Sequence, residues 1–495
     1  MYKYVLDNNI ERKIPNIAVI YIPLNKLGFA DILSINLENT LKINKAKNKI
    51  NDISSNVWED IKKTTNPYEL IYIYNNKWED KWQDKWQDKW QDKYSDVRYF
   101  NNLLGNNILL SNQTKGYEIQ SIAKIKPLSR SFFKMIEIIY EFIPNIFNKH
   151  TINSLHIAEG PGGFIEATRF IRNNNHIHTP NNSNANINAN SYSNSNININ
   201  SNSNIYMNEF AFGITLIDTY HKNVPSWKQS NIFLKKHPEV IISTGIDGTG
   251  NIYNIQNILY LGKQIKSKLQ DKTQETINEI DIVDRVDRVV DRVDIDDNIN
   301  LLDFITADGG FDYSVDYNYQ EQASSKLIFS QIIIALKYQK NGGDFVCKFF
   351  DFNSYLTIEM LYILYLSYDN ITIYKPFTSR IANSEKYIIC NSYHGINTIF
   401  LNKLFNILNE WHINNLLPSE AQLTVNQLFD DIPLIFIETL KDLNTILINN
   451  QIQSITNIIN IVKTKMNLNK EWKKENIIKQ IDYAKQWCKQ YNIPY

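Results

Sequence analysis

The stretch His156-Ile-Ala-Glu-Gly-Pro-Gly-Gly-Phe164 restricts what this chain can fold into more than any other. An apolar run, Leu155 to Ala158, stops at Gly160-Pro161-Gly162-Gly163, and a helix-compatible run begins at Phe164. That is the order strand, glycine turn, helix start. Glycine admits backbone conformations that a side chain forbids. It also lets a ligand approach the main chain at the carboxyl end of a strand, where open α/β sheets bind ligands. The spacing is not the three-glycine dinucleotide pattern, and it lacks the Lys-Ser/Thr of a phosphate loop. Alone, the stretch fits a plain tight βα turn as well as a ligand-binding one.

The surrounding pattern extends this reading. Asn208–Leu216 reads as a strand, and Val240 begins another that runs into Gly245-Ile-Asp-Gly-Thr-Gly-Asn251. Leu301–Ala307 is a buried-type strand ending at Asp308-Gly309-Gly310. A helix over 320–339, a strand over Asp344–Phe350, a helix over Leu356–Tyr368 and strands at Ile371–Tyr374 and Lys386–Cys390 follow. Alternating strands and helices predict an α/β fold with a mostly parallel sheet covered on both faces. Upstream, Leu128–Tyr140 predicts an amphipathic helix with Ser129 as N-cap and Phe132, Ile136, Ile139 and Tyr140 on one face. Lys134 lies off that face, where a lysine is ordinarily solvated. Ile17–Ile22 and Leu70–Tyr74 are strand-like, and the pattern after residue 400 is helical.

Biased segments interrupt this order. Lys77-Trp-Glu-Asp opens a four-residue repeat that ends at Asp92, and on a helix its tryptophans would form a drifting stripe. A solvated repeat explains it more simply than a stacking platform for nucleic acid. Residues 173–204 are mostly Asn, Ser and Ile, which predicts an exposed, disordered insertion. Residues about 265–298 form a second, charged insertion around Val283-Asp-Arg-Val-Asp-Arg. The chain thus divides into an extension over 1–94, an α/β domain over 95–400 and a helical region over 401–495.

Lys plus Arg equals Asp plus Glu at 52 each, so a polyanionic partner must be held by a local basic patch. Cys347, Cys390 and Cys488 are far apart and show no metal spacing, which suggests a reducing compartment. No signal peptide or membrane-length apolar run is recognisable, so a soluble intracellular protein is expected. The abundance of Asn and Ile fits an AT-rich genome.

Lys134, Asp308, Lys348 and Glu385 stand out around the expected sheet. A lysine inside an apolar strand, such as Lys348, is uncommon and often has a lowered pKa. A neutral lysine amine can act as a general base. Taken singly, each group also has an ordinary explanation: a helix cap for Asp308, a structural ion pair for Lys348, a surface acid for Glu385.

Together these segments resemble, in order, the FtsJ-type 2′-O-ribose methyltransferases. They are most similar to the eukaryotic and large-DNA-virus enzymes that methylate the first transcribed nucleotide beside the mRNA cap. The pieces are Ser129-Arg-Ser-Phe-Phe-Lys134, Glu159-Gly-Pro-Gly-Gly-Phe164, Phe212-Gly-Ile-Thr-Leu216 and Gly245-Ile-Asp-Gly-Thr-Gly-Asn251. Thr306-Ala-Asp-Gly-Gly-Phe311, Phe345-Val-Cys-Lys-Phe-Phe-Asp351 and Thr378-Ser-Arg-Ile-Ala-Asn-Ser-Glu385 complete the set. The resemblance implies a Rossmann-like fold with a seven-stranded sheet and a catalytic tetrad of Lys134, Asp308, Lys348 and Glu385. It implies S-adenosylmethionine contacts at Ala158, Glu159, Gly160, Pro161, Gly162, Gly163, Phe164, Asn251 and Asp308, with S-adenosylhomocysteine as product and no metal. It implies RNA contacts at Asn318, Tyr319, Gln320 and Asn383. His156 stands where the family usually has Asp, and Asn251 where it has an acid.

The expected reaction is methylation of capped mRNA. Lys348 would be the general base, kept neutral by Lys134, with Asp308 and Glu385 orienting it. Two alternatives stay open: 2′-O-methylation of ribosomal or transfer RNA, and a noncatalytic RNA-binding subunit of a capping or polyadenylation complex. Other capping or transcription factors are further candidate partners. The compartment follows from the source: cytoplasm, viral factory or virion for a large DNA virus, the nucleus for a protist.

Overall fold

In chain order the elements begin with β1 (Tyr2–Val5), β2 (Ile17–Pro23), α1 (Leu37–Asn48) and α2 (Ser55–Thr64). The alternating core follows with α3 (Ser131–Phe142), α4 (Asn145–Asn148), β3 (Ser154–Ile157), α5 (Gly163–Asn175), β4 (Ala211–Ile214), α6 (Asn231–Lys236) and β5 (Val240–Ser243). It continues through α7 (Ile255–Gln270), β6 (Leu302–Ala307), α8 (Gln320–Tyr338), β7 (Gln339–Phe349), α9 (Tyr355–Tyr365), β8 (Tyr368–Lys375) and β9 (Lys386–Tyr393). α10 (Thr398–Asn414), β10 (Leu423–Phe429), α11 (Leu434–Lys463) and α12 (Lys470–Gln490) come last. This computed structural model describes residues 2–24, 33–72, 121–175, 209–218, 224–270, 300–313 and 316–495. The Trp repeat at 77–92, the Asn-rich stretch from 176 and the charged stretch from 271 lie outside them.

One sheet runs β1-β8-β9-β7-β6-β3-β4-β5. β3 to β7 are parallel, while β9 is antiparallel to both β7 and β8. The chain leaves β3 toward β4 and β5, then crosses back to β6 on β3's other side. The order therefore reverses between β3 and β6, and their carboxyl ends frame the crevice where such sheets bind ligands. The sheet has eight strands where seven were expected. The addition is β1, antiparallel to β8 at the edge and only four residues long, too short for alternation to stand out.

Period-two alternation decides which side chains share a face. Ile305, Ala307, Phe345, Cys347, Ile388 and Cys390 enter one apolar core, with α7, α8 and α9. Phe304, Val346, Tyr387 and Ile389 enter the other, with α3, α5 and α12. By the same alternation Lys348 and Asp308 belong to the α3 face. All three cysteines are buried and free.

Three local expectations are corrected. The first helix of the core starts at Ser131, and Ser129 does not cap it; the Ser129 and Ser131 hydroxyls bond each other instead. Glu69–Ile71 is a short 3₁₀ turn rather than a strand. The region after residue 400 is not wholly helical, because β10 pairs antiparallel with β2 from the other end of the sequence. Among the described residues, no helix is long and apolar enough to cross a membrane.

Candidate active site

Lys134, Asp308, Lys348 and Glu385 converge. Lys134 Nζ lies 2.6 Å from Glu385 Oε1. Lys348 Nζ lies 3.2 Å from Asp308 Oδ1 and donates to the Asp308 carbonyl at 2.7 Å. All four side chains are largely buried, at 11–15% exposure. α3 brings Lys134 onto the face where β7 presents Lys348, and the chain reaches Glu385 just before β9. Gly310 keeps the space beside the amine open: a Cβ there would sit 3.1 Å from Lys348 Nζ.

The electrostatics differ from the expectation of a neutral Lys348. Burial disfavours its charge, but Asp308 and Glu385 outweigh burial and raise the ammonium above the usual lysine value. Lys134 is paired with Glu385, and the acids decide the charge on Lys348. Burial pushes the Glu385 carboxyl up, yet Lys134, Lys348 and Lys375 bring it down to about 2. The site thus holds two lysine–carboxylate pairs, Lys134 with Glu385 and Lys348 with Asp308.

Tyr387 was not foreseen. It lies directly across from Lys348 in the β7–β9 register, and its hydroxyl donates to Asp308 Oδ1 at 2.9 Å. Lys134 Nζ sits 6.0 Å from its ring centroid. In the sequence Tyr387 is one more aromatic in an apolar strand. Only the antiparallel register, which pairs it with Lys348, could have singled it out.

The glycine turn follows β3, and Asp308 N donates to Ile157 O at 3.3 Å, which joins the turn to the end of β6. Ala158 is held at φ 55° and Gly162 at 105°. A Cβ on Gly163 would collide with the hydroxyls of Ser129 and Ser131, so this glycine lets α3 pack against the turn. Glu159 turns inward: its carboxylate accepts from Ile165 N at 3.2 Å and Thr306 Oγ1 at 2.5 Å. Burial raises its pKa. His156 Nδ1 lies 2.8 Å from Thr306 Oγ1 and 3.4 Å from Glu159 Oε1. His156 thus extends the Thr306–Glu159 network, where an acid would place a second carboxyl against Glu159. The Phe164 side chain is core, facing Tyr387 at 5.8 Å between ring centroids. Only the main chain at Glu159 and Phe164 is therefore placed for a ligand.

The residues around this turn fit S-adenosylmethionine. Leu216 after β4 and Phe311 after β6 leave large apolar side chains 42% and 48% exposed, surface that a purine can cover. A Cβ on Gly250 would strike Thr215 O, so glycine there lets the 244–251 loop close on the end of β4. Asp308 offers a carboxylate to a positive sulfur. Asn251 is half-buried, and its Oδ1 already accepts from Tyr253 N at 3.0 Å.

The expected RNA contacts lie at the start of α8 and in the loop that carries Glu385. Asn318, Tyr319 and Gln320 are half-buried at the start of α8, and Asn383 is exposed beside Glu385. Gln320 accepts a hydrogen bond from Ser384, so α8 touches the loop that carries Glu385. Asn318 Nδ2 donates to Asn48 Oδ1 at 2.6 Å. Lys375 Nζ donates to the carbonyls of Asn383 and Glu385 at 2.7 and 2.8 Å and pins that loop.

Among known proteins, residues 127–393 match the model of the FtsJ-like methyltransferase family. A stretch of 123 residues is 36% identical to the cap-specific mRNA (nucleoside-2′-O-)-methyltransferase 1 of Xenopus laevis, covering 25% of this chain and 14% of that protein. The protein of the same name in Trypanosoma cruzi is 34% identical over 152 residues, 30% of this chain and 33% of that protein. The matches thus span about a third or less of these relatives. A solved Plasmodium falciparum structure described as a ribosomal RNA methyltransferase covers 54% of this chain and 100% of its own, at 16% identity and a TM-score of 0.30.

Proposed function

This chain belongs to the FtsJ-like methyltransferase family, and from that premise we propose that it methylates the ribose 2′-hydroxyl of the first nucleotide beside the cap of mRNA. The observation that carries the reading is the convergence of Lys134, Asp308, Lys348 and Glu385 beside the glycine turn. The cap rather than another RNA is favoured by Gly245-Ile-Asp-Gly and Ser379-Arg-Ile-Ala-Asn-Ser384, and by the names of the relatives.

Family membership implies S-adenosylmethionine, which when bound supplies a methyl group already activated on a sulfonium sulfur. Main-chain groups from Ala158 to Phe164 would hold it, together with Asn251 and Asp308. Asn318, Tyr319, Gln320 and Asn383 orient the RNA so that its 2′-oxygen lies beside Lys348. Lys348 takes the hydroxyl proton onto Nζ. Its raised pKa means that it must first shed a proton, and an Asp308 carboxylate facing a cationic ligand holds that proton less firmly. Lys134 keeps Glu385 ionised and in place, and Tyr387 fixes Asp308. With the methyl already activated, alignment supplies much of the rate and the step needs no metal.

The test is methyl transfer from labelled S-adenosylmethionine to capped and uncapped RNA of one sequence. The expected result is ribose methylation of the first nucleotide of the capped RNA alone. Equal labelling of both RNAs, or of ribosomal or transfer RNA in preference, would overturn the cap assignment. Cofactor binding without transfer to any RNA would leave a noncatalytic binding role.

A further inference from the structure

A basic groove runs between α1 and α11, outside the segment that matches the family. Its volume is about 390 Å³, and its polar lining is Lys42, Lys45, Lys49 and Lys463 with Asn449, Thr456 and Asn460. Ala46, Ile452 and Ile459 form an apolar floor on which lysine stems can lie. No carboxylate lines it. Glu38, one turn before Lys42, pairs with that lysine at 2.6 Å, and both side chains are more than half exposed. Among the described residues no ion pair involves Lys45, Lys49 or Lys463, and all three are exposed.

The two helices that form the groove also reach, through residues outside its lining, the loops expected to contact RNA. From α1, Asn48 bonds Asn318, and Lys47 Nζ donates to Tyr317 O at 3.2 Å. From α11, Gln451 Nε2 donates to Ala382 O at 3.1 Å, next to Asn383. The two helices thus form the groove on one face and meet the substrate-side loops with another. Lys42 to Lys49 spans about 10 Å along the helix, enough to meet more than one phosphate.

We propose that this groove holds the phosphate backbone of the substrate RNA beyond the nucleotide being methylated. The proposal rests on reading the site as one that takes RNA. The chain's charges balance to zero, so a polyanion finds no attraction from the molecule as a whole and needs a local cluster of this kind. Lysine is a compact point charge and suits phosphate without reading a base. The groove therefore adds affinity for length, independent of sequence.

The experiment uses the full chain with Lys42, Lys45, Lys49 and Lys463 all replaced by Gln, a helix-compatible residue. Steady-state kinetics would be compared on a short capped oligonucleotide and on a capped transcript several times longer. The expected result is a KM for the long RNA raised about tenfold or more, with kcat and the short-RNA KM unchanged. The salt slope of long-RNA binding should fall by up to about three, from about 0.7 per phosphate contact on a single strand. An unchanged KM for the long RNA would overturn the proposal, and so would an equal loss on both RNAs. If neither protein methylates capped RNA, the catalytic reading fails on its own. Fluorescence anisotropy with uncapped single-stranded RNA then still decides the groove: weaker, less salt-sensitive binding by the variant supports it, and equal binding sinks it.

Discussion

The two sides of the cleft are fastened in different ways. The cofactor side is held from within the matched segment. Glu159, Thr306 and His156 tie the turn to β6, the Ser129 and Ser131 hydroxyls pack on Gly163, and Glu166 accepts from Leu128 N at 2.6 Å. The substrate side draws on residues outside it as well as on Lys375 within it. Glu69 bonds Arg130 and Arg380, each at 2.7 Å, and Arg130 in turn donates to Thr378 O. Trp487 of α12 donates to Glu137, whose carboxylate also receives Phe377 N and Thr378 N. Lys47 pairs with Asp351 at 2.6 Å. On the proposed function, cofactor binding should then be a property of the family core, while the grip on RNA should also depend on residues outside it.

The largest effect should come where the two sides meet. Lys348→Met is expected to lower methyl transfer by about 10²–10⁴-fold, the usual worth of a positioned base. Cofactor affinity, measured by calorimetry, should stay near wild type. Near-normal turnover would remove Lys348 from the chemistry. Because the Lys348 pKa is raised, activity of the wild type should increase with pH. Asp308→Asn deletes the first of the acids that raise it. Its rising limb of kcat/KM should therefore move to lower pH, although the maximum falls.

A core break comes next. In Gly163→Ala the new Cβ meets the Ser129 and Ser131 oxygens, and overpacking of this kind costs about 1–3 kcal/mol. Cofactor affinity and turnover should decline together, because the same contact positions the turn and α3, which carries Lys134. Loss of RNA affinity alone would contradict the division between the two sides.

Glu69→Gln is the matching break from outside. Its RNA KM should rise several-fold, with cofactor affinity unchanged. Burial pushes the Glu69 carboxyl up, but Arg130 and Arg380 bring it down to about 2. A depressed pKa contributes stability that is complete above the ordinary value of 4.5 and fades as pH falls toward 2. Acid unfolding of the wild type should therefore steepen in that window, and the variant should lose part of the slope. An unchanged RNA KM would show that the flank braces the fold without tuning the site.

The sequence disclosed the core side more fully than the outer one, for physical reasons. Strands such as Leu302–Ala307 are buried on both faces and read as continuous apolar runs, and the glycine turn is local. β1 is too short to show a period, and β2 pairs with a strand some four hundred positions away that no local pattern could assign. Lys134 looked solvated because its partner, Glu385, is distant in sequence. Asp308 and Glu385 also reversed the expected charge balance at Lys348, since a list of residue types does not say which acid lies beside which lysine. Glu69, Trp487 and Gln451 escaped notice for the same reason: each is an ordinary residue until the fold brings it to the loop before β9.

The smallest effect tests the cofactor side alone. Asn251 Oδ1 accepts from Tyr253 N within its own loop, and an aspartate oxygen can accept the same bond, so Asn251→Asp should keep the turn. The second oxygen then replaces an amide donor with a charged acceptor. A hydrogen bond to a charged group is worth about 1 kcal/mol more than a neutral one, roughly a fivefold change in affinity. If Asn251 faces hydroxyl donors of the cofactor, S-adenosylmethionine should bind up to about fivefold tighter, with the RNA KM unmoved. Because the neutral asparagine already fills the place, the gain stays well below the losses above. Unchanged cofactor affinity would place Asn251 outside the contact and leave the turn after β3, with Asp308, to hold the cofactor.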